Sequence, residues 1–224
     1  MSNLKDTPAA PVAKRIYAKK DAEVRVQERR ERLLNAALEL FATQGYSNTT
    51  IEALCSEAKV TTRNFYQAFS GREAVLMALY NQMMEELNAT LLEAMQAETG
   101  SLREKMKQVV QALVNHYLTD TRRAQVGVLE VVGASPAIER RRREVIHGIA
   151  VHLELFLHSM AQQQQIPQRN YRWLAIAIVG GMNELMAEWL MNQELSLDQL
   201  TEEMLVTVGA LLNGISHGHL HSRL

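Results

Sequence analysis

The residues best suited to bind another molecule lie between Thr49 and Phe69, in the stretch TTIEALCSEAKVTTRNFYQAF. Its second half places polar side chains in close succession on a short predicted helix, namely Thr62, Arg63, Asn64, Tyr66 and Gln67. Phe65 and Phe69, four residues apart, fall on the inward face of that helix. Hydroxyl, guanidinium and amide groups can hydrogen-bond to base edges in the major groove of DNA. The stretch therefore predicts a recognition helix of the helix-turn-helix type.

A shorter helix must come first to position the recognition helix. Thr49 and Glu52 have the spacing of a capping box, in which each side chain satisfies a backbone N–H of the other residue. Apolar residues follow at helical spacing, namely Ile51, Leu54 and Ala58. After a turn at Lys59 and Val60, Thr61 is suited to cap the recognition helix. Two short helices joined by a tight turn are expected.

A longer helix is predicted before this pair, from about Arg25 to Gln44, and Gly45 is suited to end it. The core of the resulting three-helix bundle is assigned to Leu34, Leu38, Phe41, Leu54, Val60, Phe65 and Phe69. Residues 1–24 are polar and basic, which predicts a flexible tail. The tail is either a solvated extension or an arm that reaches phosphates or the minor groove, and the sequence leaves both open.

Composition favours an all-α fold. Hydrophobic residues make up 47% of the 224 residues, Pro is scarce (4), and strong helix formers recur without an alternating β-branched run. The single cysteine, Cys55, excludes a disulfide within one chain and a cysteine-based zinc site. Because no 18-residue apolar stretch and no leader-type N-terminus are present, a cytoplasmic protein without a membrane partner is expected.

Charge is distributed unevenly along the chain. Residues 1–72 contain 12 Lys or Arg and 8 Asp or Glu, whereas the remainder contains 12 and 17. A basic N-terminal third on an acidic body is typical of a DNA-facing head on a protein-facing body. No glycine-rich phosphate loop, nucleophile elbow or paired-carboxylate motif occurs, so nothing in the sequence indicates an enzyme.

The first third of the chain resembles the N-terminal domain of the tetracycline-repressor (TetR) family of bacterial transcription regulators. The resemblance covers about 50 of 224 residues and follows an ordered set of features: the AALELF run, Gly45-Tyr46, Thr49-Thr50, Val60-Thr61, Phe65-Tyr66 with Phe69, and Arg72-Glu73. Two positions depart from the family pattern. Lys59 stands where Gly is usual, at a position suited to positive φ. Arg63 stands where a small residue is common, and we expect it to shape the operator preference.

The resemblance implies a helix-turn-helix domain at residues 25–71 and a helical regulatory domain, for ligand binding and dimerisation, at residues 72–224. The implied partners are double-stranded operator DNA, a small-molecule effector and a second copy of the chain, with no cofactor. Base contacts are predicted for Thr62, Arg63 and Gln67, and phosphate contacts for Thr50, Thr61, Tyr66 and Arg72. A repressor released from a pseudo-palindromic operator by its effector is the first interpretation. An activator, a ligand-free regulator, or an interaction protein that has lost DNA binding are the alternatives.

The chain after Arg72 is expected to continue in helices, first to about Glu98 and then near 101–119, 122–133, 137–163, 169–192 and 197–214. Polar or amphipathic residues on apolar faces predict a ligand cavity at His116, Tyr117, Glu130, Trp173, Asn183 and Glu184. Each of them is alternatively a satisfied core or interface group. Because the TetR family dimerises through its last two long helices, the predicted dimer interface comprises Ile178, Gly181, Leu185, Trp189, Leu205, Val208 and Leu212.

Two further clusters are explained without a binding role. The arginine run 140–143 points all round its predicted helix, which favours a solvated or ion-paired helix start over a site for an anionic ligand. The alternating His217, His219 and His221 lack a fourth ligand, so no metal site is expected there.

Overall fold

The computed structural model describes residues 11–96 and 100–216, with side chains at 23–96 and 100–214, and these residues contain helices and no strand. The all-α prediction is confirmed. A π-helical turn, Gln125–Glu130, follows α6 directly and is called the π turn below. The α-helices are α1 (Pro11–Gln44), α2 (Ile51–Ala58), α3 (Thr62–Ala68), α4 (Arg72–Met95), α5 (Leu102–Leu118), α6 (Thr121–Ala124), α7 (Pro136–Gln162), α8 (Arg172–Asn192) and α9 (Leu197–Ser216).

Helix α1 is longer than the sequence predicted. It begins at Pro11, so the flexible tail expected over residues 1–24 is wrong for residues 11–24. The physical reason is that Ala, Lys, Arg and Glu in this stretch are strong helix formers, and Pro is tolerated at a first helical position. Residues 1–10 lie outside the described part of the chain.

Helices α1 to α3 pack together as a small bundle, called the head below. Its core contains the predicted set, with Leu34, Phe41, Leu54, Val60, Phe65 and Phe69 buried and Leu38 partly buried. Leu33, fully buried, adds a residue that the prediction left out of the core. The head therefore has the three-helix form that the apolar spacing indicated.

The cap of α2 lies one residue later than predicted. Thr50, not Thr49, is the N-cap, and its hydroxyl accepts a hydrogen bond from the backbone N–H of Ala53 at 3.1 Å. The side chain of Thr49 is fully buried, and its hydroxyl donates to the carbonyl oxygen of Gly45 at 2.9 Å. Thr49 thus holds the turn after α1 closed, a role that depends on the fold and not on local spacing.

Two arginines of α1 hold the ends of the two short helices. Arg32 donates to the carbonyl oxygen of Lys59 at the end of α2, and Arg30 donates to that of Ala68 at the end of α3, both at 3.5 Å. The Arg30 guanidinium also lies 4.4 Å from the ring centroid of Phe69. Cations at helix C-termini interact favourably with the helix dipole, so α1 fixes the position of the recognition helix.

The remaining helices form the body, in which α4 packs on α5 and α7, α5 on α9, and α8 on both α7 and α9. Local signals set the helix starts. Ser101 and Glu104 form a reciprocal capping box on α5, and Ser135 caps α7 in front of Pro136. The five predicted segments after α4 correspond to α5, α6 with the π turn, α7, α8 and α9.

Helix α8 is unusually apolar for its position. It is long and apolar enough to cross a membrane by length and composition, with a mean hydropathy of 1.3 over its most apolar 18 residues, of which 28% are buried. It packs against α7, α9 and the π turn, which accounts for its buried face. Its outer face, with Trp173 at 78% and Met191 at 62% exposure, has no cover among the described residues of the chain.

We predict that Lys59→Gly stabilises the protein. Lys59 has φ 52° and ψ 49°, a left-handed conformation that costs a residue with a Cβ about 1–2 kcal/mol. Glycine removes that cost but loses about 0.4–1 kcal/mol through the entropy of the unfolded chain. The net gain in the free energy of unfolding should be about 0.5 kcal/mol, measured by urea denaturation. Lys59→Ala is the control, because it removes the charge, keeps the Cβ and should bring no gain.

Candidate functional site

Helix α3 presents its polar residues to solvent. Thr61, Thr62, Arg63 and Gln67 are exposed, and the ring of Tyr66 is 57% exposed. Phe65 and Phe69 are buried behind them, as predicted. The polar residues therefore form one accessible surface on a helix whose other side is fixed in the head. Whether they bind DNA remains a prediction.

Thr61 caps α3, as the sequence indicated. Its hydroxyl accepts a hydrogen bond from the backbone N–H of Asn64 at 3.2 Å. Thr50 caps α2 in the same way. A hydroxyl that accepts a bond from the backbone still has its own proton to donate, so both threonines can cap a helix and donate to a phosphate oxygen.

Two of the predicted contact residues are less free than the others. Asn64 is half-buried. The side chain of Thr62 lies close enough to the thiol of Cys55 on α2 to affect its pKa. Burial raises the pKa of the Cys55 thiol, so Cys55 is a neutral group of the head interior. Arg63 and Gln67 consequently have the greatest freedom to reach base edges.

Arg72, predicted to hold a phosphate, is engaged within the protein. One guanidinium nitrogen donates to the carbonyl oxygens of Ser47 at 3.0 Å and Thr49 at 2.7 Å. The guanidinium also lies 4.5 Å from the ring centroid of Tyr46. Arg72 thus joins the start of α4 to the turn after α1, which leads into α2. The sequence could not indicate this, because its acceptors are backbone atoms more than 20 residues away.

An apolar cavity lies in the body between α4, α5, α7, α8 and α9, with Gly127 of the π turn in its wall. The room for another molecule within it is about 80 Å³, inside about 790 Å³ of space between the surrounding atoms that extends to open solvent. Methionine, leucine, valine and isoleucine side chains form most of the lining. The polar or amphipathic groups in the wall are Tyr80, Tyr117, Arg142 and Asn183. A largely apolar cavity with a few polar groups is the usual form of a small-molecule site.

Tyr117 and Asn183 were both predicted to line a cavity, and both lie in its wall. The Tyr117 hydroxyl is deeply buried, and its hydrogen bond goes to the sulfur of Met84 at 3.5 Å, a weak acceptor. Burial raises the pKa of the Tyr117 hydroxyl, as it raises that of Tyr80 to about 12. Both phenols are therefore neutral donors at physiological pH.

Arg142 is the charged residue in the wall. Its guanidinium pairs with the carboxylate of Glu139 through Nε at 3.1 Å and Nη2 at 2.7 Å. The neighbouring Arg141 donates to Asn81 at 2.6 Å and pairs with Glu144 at 3.3 Å. The arginine run is thus ion-paired, as the sequence favoured, but it also contributes one side chain to the cavity. Sequence spacing gave no way to tell which of the four faces inward.

The other predicted cavity residues lie elsewhere. Trp173 is exposed on α8, and Glu184 is exposed one residue after Asn183, because consecutive helical residues point in different directions. Glu130 lies between the body and the head, where it accepts a hydrogen bond from the backbone N–H of Tyr46 at 2.7 Å. His116 faces a shallow polar groove on the outer side of α5.

His116 belongs to a polar cluster beside the cavity. Arg123 donates to Nδ1 of His116 at 3.3 Å and forms an ion pair with Glu86. Nε2 of His116 is buried without a well-formed hydrogen bond among the described residues. Burial, together with the charge of Arg123, lowers the pKa of His116 to about 4. The ring is therefore neutral near pH 7, and His116 joins α5 to α6.

The predicted dimer residues divide between the inside and the outside of the chain. Ile178 and Val208 are buried and line the cavity, and Leu212 is buried, so these three serve the core of one chain. Leu185, Trp189 and Leu205 are partly buried, and a Cβ added at Gly181 would meet nothing within 4 Å. In the described part of α8 and α9, the large apolar residues left exposed are Trp173, Met191, Leu197 and Val206. The sequence pattern marked the apolar faces but could not separate core from interface.

No group of three or more His, Cys, Asp or Glu residues suited to hold a metal ion occurs in the part of the chain that the structure describes. His217, His219 and His221 lie outside that part.

The sequence has relatives in one family of regulators. Residues 33–79 match the family described as bacterial regulatory proteins, tetR family. The fatty acid metabolism regulator protein of Bacillus subtilis (strain 168) is 23% identical over 163 residues, which are 72% of this chain and 84% of that protein. The HTH-type transcriptional regulator HbdR of Aromatoleum sp. (strain CIB) is 38% identical over 60 residues, or 27% of this chain and 26% of HbdR.

Solved structures show the same fold over most of the chain. The fatty acid degradation regulator FadR of Bacillus halodurans aligns with a TM-score of 0.74 at 22% identity, covering 87% of this chain and 97% of FadR. FadR of Bacillus subtilis, solved in complex with stearoyl-CoA, aligns with a TM-score of 0.72 at 24% identity, covering 83% of this chain and 98% of that protein. The head and the body are therefore arranged as in regulators of this type.

We predict that His116 makes stability depend on pH between about 6.5 and 4. Its pKa in the folded protein is about 4, below the ordinary value of 6.5, so the unfolded chain binds more protons in this window. The free energy of unfolding should therefore fall as pH falls from 6.5 towards 4. His116→Gln removes this titration and should lose less stability than the wild type over the same range, measured by urea denaturation at each pH. Parallel curves for the two proteins would contradict the assignment.

Proposed function

We propose that this chain, a member of the TetR family of bacterial transcriptional regulators, is a homodimeric repressor that leaves its operator when an aliphatic ligand enters the cavity of the body. The observation that carries the proposal is the apolar cavity in the body, combined with an intact helix-turn-helix head. A body built only to dimerise would gain more from a filled core, because empty space between apolar side chains is destabilising.

The head supports DNA reading through α3. Arg63 and Gln67 are the groups with most freedom to contact base edges, and Thr62 can contribute its methyl group or its hydroxyl. Thr50, Thr61 and Tyr66 are exposed around them and fit phosphate contacts, which set the position of the head on the duplex. We assign Arg72 a supporting role, because its donors are directed to the turn after α1.

The cavity supports an effector with a long aliphatic part. Its walls are methionine and branched aliphatic side chains, which attract an acyl chain and leave a polar molecule without hydrogen bonds. FadR of Bacillus subtilis has been solved in complex with stearoyl-CoA. We therefore propose an acyl thioester as the effector, with its carbonyl or headgroup near Arg142, Tyr80 and Asn183.

Dimerisation is supported by the outer faces of α8 and α9. Trp173 and Met191 on α8 and Val206 on α9 are each more than half exposed. Gly180 and Gly181 lie between Trp173 and Met191, and a Cβ at either position would meet no atom of the chain within 4 Å. Glycines inside a helix are costly, and close approach of a second helix is a reason for a protein to keep them. A second copy of the chain would bury this face and give two heads for a pseudo-palindrome, with recognition helices about 34–36 Å or a multiple apart.

Operator binding and release test the function directly. DNA selected from a random pool should contain inverted half-sites and bind the protein in fluorescence anisotropy. Stearoyl-CoA should raise the Kd by about 10-fold or more, as expected for allosteric coupling. CoA without an acyl chain is the matched control and should have little effect. Arg63→Ala should relax the preference at one base position and cost about 1–3 kcal/mol.

Two results would contradict the proposal in different ways. Selection without any enriched sequence would argue for an interaction protein that does not read DNA. An enriched operator that stearoyl-CoA does not release would keep the DNA-binding function but reject the acyl effector.

Since bacterial regulators of this kind act on the chromosome, we place the protein in the cytoplasm.

We predict that Gly181→Leu weakens the dimer without unfolding the chain. Outside its own turns of α8, no atom of the same chain lies within 4 Å of the added Cβ, so a loss of association would come from contact with a second subunit. Gly148→Leu on α7 is the matched control, because a Cβ at that exposed helical position likewise meets no atom of another element within 4 Å, and the position is not on α8 or α9. Light scattering should give half the mass for Gly181→Leu at a concentration where Gly148→Leu remains dimeric. Equal masses for both variants would argue against this interface.

A further inference from the structure

The segment from Thr121 to Glu130, made of α6 and the π turn, touches both the cavity and the head. Its last residue, Glu130, accepts a hydrogen bond from the backbone N–H of Tyr46 at 2.7 Å, across 84 positions of sequence. The two groups are partly buried, which strengthens a bond to a charged acceptor. Among the described contacts, this one joins the π turn to the second residue after the end of α1.

Tyr46 N–H is a group that α1 leaves without a partner. Gly45, with φ 85°, ends the helix, and its own N–H bonds back to the carbonyl oxygen of Phe41 at 3.2 Å. In a common form of this helix end, the next N–H also bonds back into the helix. Here that N–H is directed to Glu130 instead. The body thus completes the cap of the main helix of the head.

Tyr46 in turn is held in place by side chains of the head and of α4. Its ring packs edge-to-face on Phe41 at 5.4 Å and lies under the guanidinium of Arg72. The same guanidinium binds the carbonyl oxygen of Thr49, next to the N-cap of α2. A displacement of the Tyr46 backbone therefore reaches the start of the helix-turn-helix through two packed contacts.

On the other side, the π turn forms part of the cavity wall at Gly127. A Cβ at Gly127 would lie 2.9 Å from a ring carbon of Tyr117 and 3.1 Å from the terminal methyl of Met83. Since 2.9 Å is too short for such a contact, Tyr117 and the π turn are packed at their closest distance. A ligand that pushes on Tyr117 from the cavity must then move the π turn or be excluded. π-Helical turns are frequent at functional sites, where they change register more easily than an α-helix.

We infer that Glu130 is the positioning residue through which occupancy of the cavity changes the orientation of the head. The inference rests on the proposed function for its biological meaning, but the contact itself is independent of any particular effector. In the empty protein the carboxylate holds Tyr46 and the turn after α1 in the DNA-binding arrangement. Glu130 lies three residues after Gly127. A movement of the π turn at Gly127 therefore also moves Glu130 and releases or displaces Tyr46.

The chemistry of the contact requires a carboxylate. One oxygen of Glu130 accepts from Tyr46 N–H at 2.7 Å, and the other accepts from the side-chain amide of Gln125 at 3.1 Å. A glutamine at position 130 keeps one acceptor oxygen for Tyr46 N–H, and the Gln125 amide can turn to accept from the new NH₂ group, but the acceptor loses its charge, and a hydrogen bond to a neutral oxygen is weaker than one to a carboxylate. Glu130→Gln should therefore weaken the contact, although it preserves the size of the side chain.

A second contact from the same segment supplies a matched control. Arg122 of α6 pairs with Glu39 of α1 at 2.7 Å, and both side chains are more than 40% exposed. Exposed ion pairs contribute little to stability, so this contact should carry little coupling. Arg122→Ala therefore removes a head-to-body bond of the same segment without touching Tyr46.

The first experiment measures amide hydrogen exchange at Tyr46 and needs neither operator nor effector. In the wild type this N–H should be protected. Glu130→Ala and Glu130→Gln should speed its exchange by about 10-fold or more, whereas Arg122→Ala should change it by less than about 2-fold. Gly127→Ala, which forces the wall apart, should also speed exchange at Tyr46. Unchanged exchange in the Gly127→Ala protein would overturn the inference, whatever the function of the protein.

The second experiment measures coupling with the selected operator and stearoyl-CoA. The measured quantity is the ratio of the operator Kd with ligand to the Kd without ligand. This ratio should be about 10-fold or more in the wild type and in Arg122→Ala. It should fall below about 3-fold in Glu130→Gln. The affinity of Glu130→Gln for the ligand in the absence of DNA should stay within about 3-fold of the wild-type affinity. This measurement separates a loss of coupling from a loss of ligand binding. Full coupling in Glu130→Gln would overturn the inference, whereas a wild type that binds DNA without release would count against the proposed effector alone.

Discussion

The orientation of the head depends on how the backbone groups freed at the end of α1 find partners. A helix leaves its last carbonyl groups unpaired, and the turn that follows exposes further N–H and C=O groups. Here Thr49 donates to the carbonyl oxygen of Gly45, Arg72 donates to those of Ser47 and Thr49, and Glu130 accepts from Tyr46. Partners from the head, from α4 and from the π turn thus meet in one short turn. Because a buried polar group without a partner costs about 1–3 kcal/mol, these parts cannot move separately without loss.

Local sequence information was sufficient for the helices and for the exposed surface of α3. The apolar spacing around Phe41, Leu54 and Phe65 depends only on the helical period, so it predicted the head core correctly. The positive φ at Lys59 was also predicted, but from the resemblance to a family that usually has Gly at this position. The start of α1 was missed because composition and two prolines suggested a tail, although most of residues 11–24 favour a helix. Propensity was present there, but no apolar period accompanied it.

The roles that depend on partners distant in sequence could not be predicted. Thr49, Arg72 and Glu130 are polar residues whose partners are backbone atoms. Because every residue has a backbone, the residue types in the sequence do not show which backbone group a side chain will bind. The cavity presented the opposite difficulty. Its walls are mostly apolar residues, whose sequence pattern is the same as that of an ordinary core. The search for polar residues on apolar faces found Tyr117 and Asn183 in the wall, but it also selected Trp173 and Glu184, which lie outside it. An apolar ligand site is distinguished from a core by missing volume, and no sequence pattern reports volume.

An apolar cavity gives a regulator little directional information, since dispersion and hydrophobic contacts act equally in all directions. A ligand can change the head only if the two orientations of the protein bind it with different affinity. In the proposed mechanism the close packing of Gly127 against Tyr117 provides such a difference, because a ligand that displaces Tyr117 also displaces the π turn. Directional bonds are then needed where this movement is transmitted, and a charged acceptor facing two donors is well suited to that. The proposed mechanism therefore separates detection from transmission: the cavity volume would detect the ligand, and a small set of hydrogen bonds at the end of α1 would convert its occupancy into orientation.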